Sequence, residues 1–145
     1  MTRRCYLFDI DGTLADGEHR RYYIGSDPKD WDKYFSLVEY DKPIEHIVEL
    51  AHIMYGLVDI VYVSGRSDEC RFSTEQWLIE HCPWGPVYMR RKGDHRPDNI
   101  IKIELLGQIR QDGYDPILVF DDRTRVVNAW RAAGLPCLQV APGDF

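Results

Sequence analysis

Short apolar runs that each end in polar residues set the framework of this chain. Four of them, CYLFDI (5–10), VDIVYVS (58–64), ILVF (117–120) and PCLQVA (136–141), have the length and composition of buried strands, with VYM (87–89) a weaker fifth. Helix-period segments lie between them, over about 43–56, 68–81, 98–111 and 123–133. Pro43 and Pro97 suit helix starts, and Gly56 and Gly134 suit helix ends. Strands alternating with helices predict an α/β fold, a three-layer Rossmann-like domain around a central parallel sheet. No repeat, low-complexity tract or linker interrupts the 145 residues, so 1–145 reads as a single domain. Residues 16–42 are too long for an ordinary strand-to-helix loop and predict a small flap or cap insertion after the first strand. Within it, SDPKDWDKYF carries a helix start, with Ser26 or Asp27 as cap ahead of Pro28.

Composition narrows the function classes. No stretch approaches the roughly 18 apolar residues of a membrane-spanning helix, and MTRR has no apolar signal segment behind it. The expectation is a soluble protein of the cytoplasm, in a bacterial or phage-infected cell, with no membrane partner. Cys5, Cys70, Cys82 and Cys137 form no CxxC pair and read as reduced, buried thiols. The net charge of −6 argues against a general nucleic-acid binder. Setting aside Asp9, Asp11, Asp121 and Asp122 leaves 20 acids against 18 bases, so much of the excess sits in two tight pairs.

Those pairs fall where ligands bind in open α/β sheets, beyond the carboxyl ends of the strands. The first run ends in Asp9 and Asp11, the second in Ser64, Gly65 and Arg66, and ILVF in Asp121 and Asp122. Alone, an Asp after a strand is often a helix cap and SGR a common turn. Together, four converging carboxylates would repel strongly without a counter-ion, and hard oxygen ligands of this kind suit Mg²⁺. Ser64, backbone N–H groups and a Lys or Arg could hold phosphate oxygens.

The ordered set DIDGTLA, VSGR, a downstream lysine and FDDRT resembles the four motifs of haloacid dehalogenase (HAD) superfamily phosphatases, over nearly the whole chain. DDRTRVVNAW, QVAPGDF and KGDHRPDNIIK sharpen the likeness towards the 3′-phosphatase domain of phage polynucleotide kinase-phosphatases. That resemblance implies Asp9 as nucleophile, forming an aspartyl-phosphate, and Asp11 as the acid and base. It implies Mg²⁺ on the Asp9 carboxylate, the Asp11 backbone carbonyl and the pair Asp121 and Asp122, and Ser64 on the transferring phosphoryl group. Of two candidate lysines, Lys92 sits in a basic loop. Lys102 lies four residues after Asp98 on one helix face, where Asp98 would aim the ammonium. Arg20 and Arg66 match the substrate-binding arginines of the related domain.

The expected partner is a phosphorylated substrate, a nucleic-acid 3′ end or a nucleotide, with no obligate protein partner evident. The flap stretch HRRYY and the basic loop RRKGDHR (90–96) offer charge and aromatics to a strand. No GxxxxGK[ST] is present, so a P-loop kinase half is absent from this sequence. The alternative enzyme is a nucleoside monophosphate or small phosphate-ester phosphatase. A phospho-acceptor signalling domain is the remote non-enzyme alternative, disfavoured because its adjacent acidic pair would come early, whereas here 121–122 comes last.

Overall fold

A computed structural model describes residues 2–145. Five strands form one sheet: β1 (Arg3–Phe8), β4 (Asp59–Ser67), β5 (Val87–Arg90), β6 (Tyr114–Asp121) and β7 (Cys137–Gln139). Their order is β5-β4-β1-β6-β7, with every neighbour parallel. The period of two along each strand splits the core into two layers. Cys5 and Leu7 of β1, Val61 and Val63 of β4 and Val119 of β6 pack against α4 (Asp98–Gln111) and α5 (Thr124–Ala132). Phe8, Ile60, Tyr62 and Phe120 face the other way, towards α2 (Glu45–Met54) and α3 (Arg71–His81). Strands buried on both faces need no polar alternation, which is why they read as continuous apolar runs.

The expected flap is present. A two-residue antiparallel ladder between β2 (Ala15–Asp16) and β3 (Lys42–Pro43) closes its neck. Between them lie a 3₁₀ helix (Glu18–Ile24), α1 (Trp31–Ser36) and a second 3₁₀ turn (Val38–Tyr40). Two sequence expectations need correction here. The flap helix is capped by Asp30, whose carboxylate accepts from the Lys33 N–H at 3.0 Å, and not by Ser26 or Asp27. Only Asp30 stands three residues before the donor that a cap must reach. Pro43 belongs to the neck ladder opposite Ala15, and its helix begins at Glu45.

All four cysteines are free and buried, as expected of reduced thiols. Burial pushes Cys5, Cys82 and Cys137 up to about 12, so they are inert as nucleophiles. Among the described residues, no helix is long and apolar enough to cross a membrane.

Candidate active site at the carboxyl edge of the sheet

Strand parity aims the reacting groups. Asp9 continues the Cys5–Leu7 side of β1 and Asp121 the Val119 side of β6, the side on which α4 packs. Lys102 of α4 therefore meets them from below. Its Nζ donates to Asp9 Oδ1 at 2.7 Å and to Asp121 Oδ2 at 2.8 Å, with all three residues buried. Thr13 donates its hydroxyl to Asp9 Oδ2 at 3.0 Å. Trp130 Nε1 donates to Asp121 Oδ2 at 3.2 Å, and the Asp122 N–H to Asp121 Oδ1 at 2.9 Å. Carboxylate oxygens of Asp9, Asp121 and Asp122 all lie within 4.8 Å of one another.

Three carboxylates against one ammonium leave two negative charges buried together. Burial, then the Asp121 charge, pushes Asp9 well above the usual carboxylate range despite Lys102, and the same two causes raise Asp122. For Lys102, burial would lower the pKa, but the attractions of Asp121 and Asp9 outweigh it and hold the ammonium charged. A hard divalent cation fits this donor set in both ligand type and charge.

Asp11 turns away from that cluster into a second one. Arg66 grips its carboxylate with Nε at 3.0 Å and a terminal nitrogen at 2.7 Å, and an Arg20 nitrogen adds 2.7 Å. Burial works to raise Asp11, yet Arg66 and then Arg20 hold it down at about 2. Both arginines are themselves buried. What keeps them there is Asp41, at the far end of the flap. It accepts from Arg20 Nε and a terminal Arg20 nitrogen at 2.8 Å each, from Arg66 at 3.0 Å and from His19 Nε2 at 2.8 Å. Trp77 Nε1 donates to the Asp41 carbonyl at 2.8 Å, and Thr74 accepts from Arg66 at 3.0 Å. The Arg20 guanidinium also lies 4.3 Å from the Tyr34 ring centroid. Sequence reasoning missed Asp41 and Thr74.

Ser64 is fully buried at the end of the β4 core run, its Oγ accepting the Arg66 N–H at 3.0 Å. Asp98 departs from expectation. It shares a helix face with Lys102, but Lys102 is claimed by Asp9 and Asp121, and Asp98 instead receives Arg90 and, at 2.8 Å, Arg123. A buried ammonium goes to the carboxylates that are buried with it, whereas Asp98 is partly exposed. Lys92 is remote in role, with its side chain 76% exposed and its nearest carboxylate, Glu69, at 4.0 Å. The basic loop folds largely on itself. Arg90 binds the carbonyls of Gly65, Asp94 and Arg96, and Arg96 forks onto Asp94 and Glu104. Gly12 adopts φ +80°, and a Cβ there would lie 2.1 Å from Asp122 Oδ2, so the loop after Asp11 can approach the acidic pair only as glycine.

The phosphatase-domain family of polynucleotide kinase PNKP matches residues 3–145. A protein of Autographa californica nuclear polyhedrosis virus named as a bifunctional polynucleotide kinase/RNA ligase is 29% identical over 137 residues, covering 92% of this chain and 18% of its own length. The solved Pnkp1/Rnl/Hen1 RNA repair complex contains a chain 31% identical, with a TM-score of 0.83 over 99% of this chain and 44% of that one. A hydrolase of Streptococcus pneumoniae TIGR4 shares the fold at 19% identity, with a TM-score of 0.64 over 98% of this chain and 95% of its own. The chain thus spans less than half the length of the first two relatives. The absence of an evident protein partner does not carry over to the solved relative, which was seen assembled with Rnl and Hen1.

Proposed function

We propose that this chain, which belongs to the phosphatase-domain family of polynucleotide kinase PNKP, is a Mg²⁺-dependent phosphomonoesterase that removes phosphate from polynucleotide 3′ ends. It is a HAD-fold phosphatase, and we take residues 1–145 as one unit with 16–42 as its flap. The observation that carries the mechanism is that two carboxylates two residues apart face different partners. Asp9 faces Lys102 and the acidic pair, while Asp11 faces two arginines.

In this reading an Asp9 oxygen attacks phosphorus, the new O–P bond forms and the bond to the leaving 3′ oxygen breaks. Asp11 gives that oxygen its proton and then takes one from the water that hydrolyses the aspartyl-phosphate. Asp9 and the pair Asp121 and Asp122, with the Asp11 backbone carbonyl, would hold Mg²⁺, which supplies charge neutralisation for the phosphoryl group. Lys102 orients Asp9 and favours its ionised form against burial and the Asp121 charge, and Ser64 binds a phosphoryl oxygen. Asp11 is held ionised in the free protein. Before it can act as the acid it must take up a proton from solvent, which it can do only once its arginines are drawn away. An incoming phosphate is a competing bidentate acceptor for Arg66 and Arg20. Substrate binding thereby readies the acid.

Two extensions rest on the relatives. This sequence contains no P-loop, so any 5′-kinase chemistry would be supplied from outside residues 1–145. A protein partner is part of the proposal, since the solved relative is assembled with Rnl and Hen1. The test measures phosphate release, with Mg²⁺ and with chelator, from 3′-phosphorylated oligonucleotides, 5′-phosphorylated oligonucleotides and mononucleotides. The 3′ ends should react fastest. Equal or greater activity on mononucleotides would favour the small-ester phosphatase instead, a reading to which the net charge of −6 lends support.

A further inference from the structure

The flap and the segment after β7 meet over Phe145. The guanidinium carbons of Arg21 and Arg123 each lie 5.3 Å from the centroid of its ring. One arginine comes from the flap; the other directly follows Asp122. Arg123 is fixed in place, with Nε donating to the Phe145 carbonyl oxygen at 2.9 Å and a terminal nitrogen to Asp98 at 2.8 Å. The segment itself is seated on the site. A Cβ on Gly143 would come within 1.8 Å of the Asp122 carbonyl oxygen, and the Thr124 N–H donates to the Gly143 carbonyl at 2.9 Å. Phe145 is therefore held in register with the acidic pair.

Packing does not account for this ring, because Phe145 remains 53% exposed. Tyr22, next to Arg21, is 81% exposed. Asp98 is shared by Arg90 and Arg123, and Asp144, next to Phe145, accepts from the Thr124 hydroxyl at 2.9 Å. Arg21 has only a loose 3.4 Å contact with Glu18, and both side chains are more than half exposed. A half-exposed aromatic patch carrying two arginines thus borders the reacting carboxylates, and the chemistry at Asp9 makes no use of it.

We propose that Arg21, Phe145 and Arg123 seat the nucleotide that neighbours the reacting 3′ end of a single strand. Its phosphodiester lies on the guanidinium groups, and its base stacks on the Phe145 ring. The inference rests on the polynucleotide reading above and adds to it the place where the strand runs. Guanidinium and phosphodiester make charge-assisted hydrogen bonds, and Arg21 gives up little in leaving Glu18. Base stacking on an aromatic face tolerates any sequence, as an end-processing phosphatase requires.

The experiment compares kcat/KM for a 3′-phosphorylated single-stranded oligonucleotide with that for p-nitrophenyl phosphate, in wild type, Arg21→Gln, Phe145→Leu and Phe145→Trp. The ratio of the two values is independent of how much of each preparation is folded. It should fall about tenfold in Arg21→Gln and in Phe145→Leu, through KM for the oligonucleotide, and be kept in Phe145→Trp. Arg21→Gln should also flatten the salt dependence of that KM. If wild type prefers the oligonucleotide but the ratio is the same in every variant, the seat is wrong while the substrate reading stands. If wild type shows no preference for the oligonucleotide, the substrate reading fails and the seat fails with it.

Discussion

Arg66 forks onto the Asp11 carboxylate, Nε at 3.0 Å and a terminal nitrogen at 2.7 Å, while another contact of the same guanidinium reaches Asp41 at 3.0 Å. Asp41 and Asp11 thus share both Arg66 and Arg20, and the four side chains balance in charge. Asp41→Asn leaves two buried guanidinium groups on one carboxylate. The expected loss is about 3–5 kcal/mol of stability, measured by urea unfolding. At a temperature where the variant is folded, kcat should drop about 10-fold or more because the arginines no longer hold their places. In a double-mutant cycle with Arg20→Ala the effects should be far from additive. Additive losses would show that Asp41 does not act through Arg20.

Asp122→Asn takes one negative charge out of the Asp9–Asp121–Asp122 cluster. Without divalent metal the variant should be more stable than wild type at neutral pH, because burial and the Asp121 charge both work against an ionised Asp122. Thermal melts with Mg²⁺ and with chelator check this. The Mg²⁺-induced rise in Tm should shrink in the variant.

Acid titration of the metal-free protein has two limbs of opposite sign. Asp9 and Asp122 are raised on folding, so their ionisation costs stability, and stability returns as pH falls through their folded values towards about 4, the unfolded value. Asp11 is lowered to about 2, so its contribution is complete above about 4 and is lost as pH falls through 2. Tm in chelator should therefore rise on acidification from neutrality, then fall steeply below about pH 4. Saturating Mg²⁺ should flatten the first limb. A Tm that declines steadily from pH 7 contradicts the charge reading of the cluster.

Much of this was legible in the amino-acid order, and what was hidden has a common cause. Leu7, Val61 and Val119 lie in runs whose composition alone marks buried parallel strands, and Asp9, Ser64 and Asp121 follow at their ends. Asp41 was invisible because it is one of five aspartates between 16 and 42, and its partners lie 21 and 25 positions away. Local rules also misled at Asp98. A shared helix face put it beside Lys102, but the buried carboxylates of two strands compete better for that ammonium. The same limit moved the flap cap to Asp30.

Gly12→Ala joins two costs, a positive φ of 80° and a Cβ 2.1 Å from Asp122 Oδ2. The left-handed backbone alone costs about 1–2 kcal/mol, and displacement of Asp122 should weaken Mg²⁺ activation beyond that. Titrating activity with Mg²⁺ should show a higher half-saturating concentration than wild type. Gly93→Ala, also at positive φ but with open space around its Cβ, should lose stability alone.

The central claim is that Asp9 becomes phosphorylated while Asp11 manages protons. The most direct measurement is acid quench of Asp11→Asn mixed with p-nitrophenyl phosphate and Mg²⁺, followed by peptide mass spectrometry. A good leaving group needs little protonation, so the first step should proceed while hydrolysis stalls for want of a base. The account predicts the mass of one phosphoryl group on the peptide containing Asp9, released on borohydride treatment, and none in a variant that also carries Asp9→Asn. A phosphoryl group on another residue, or turnover by Asp9→Asn at the wild-type rate, would contradict it.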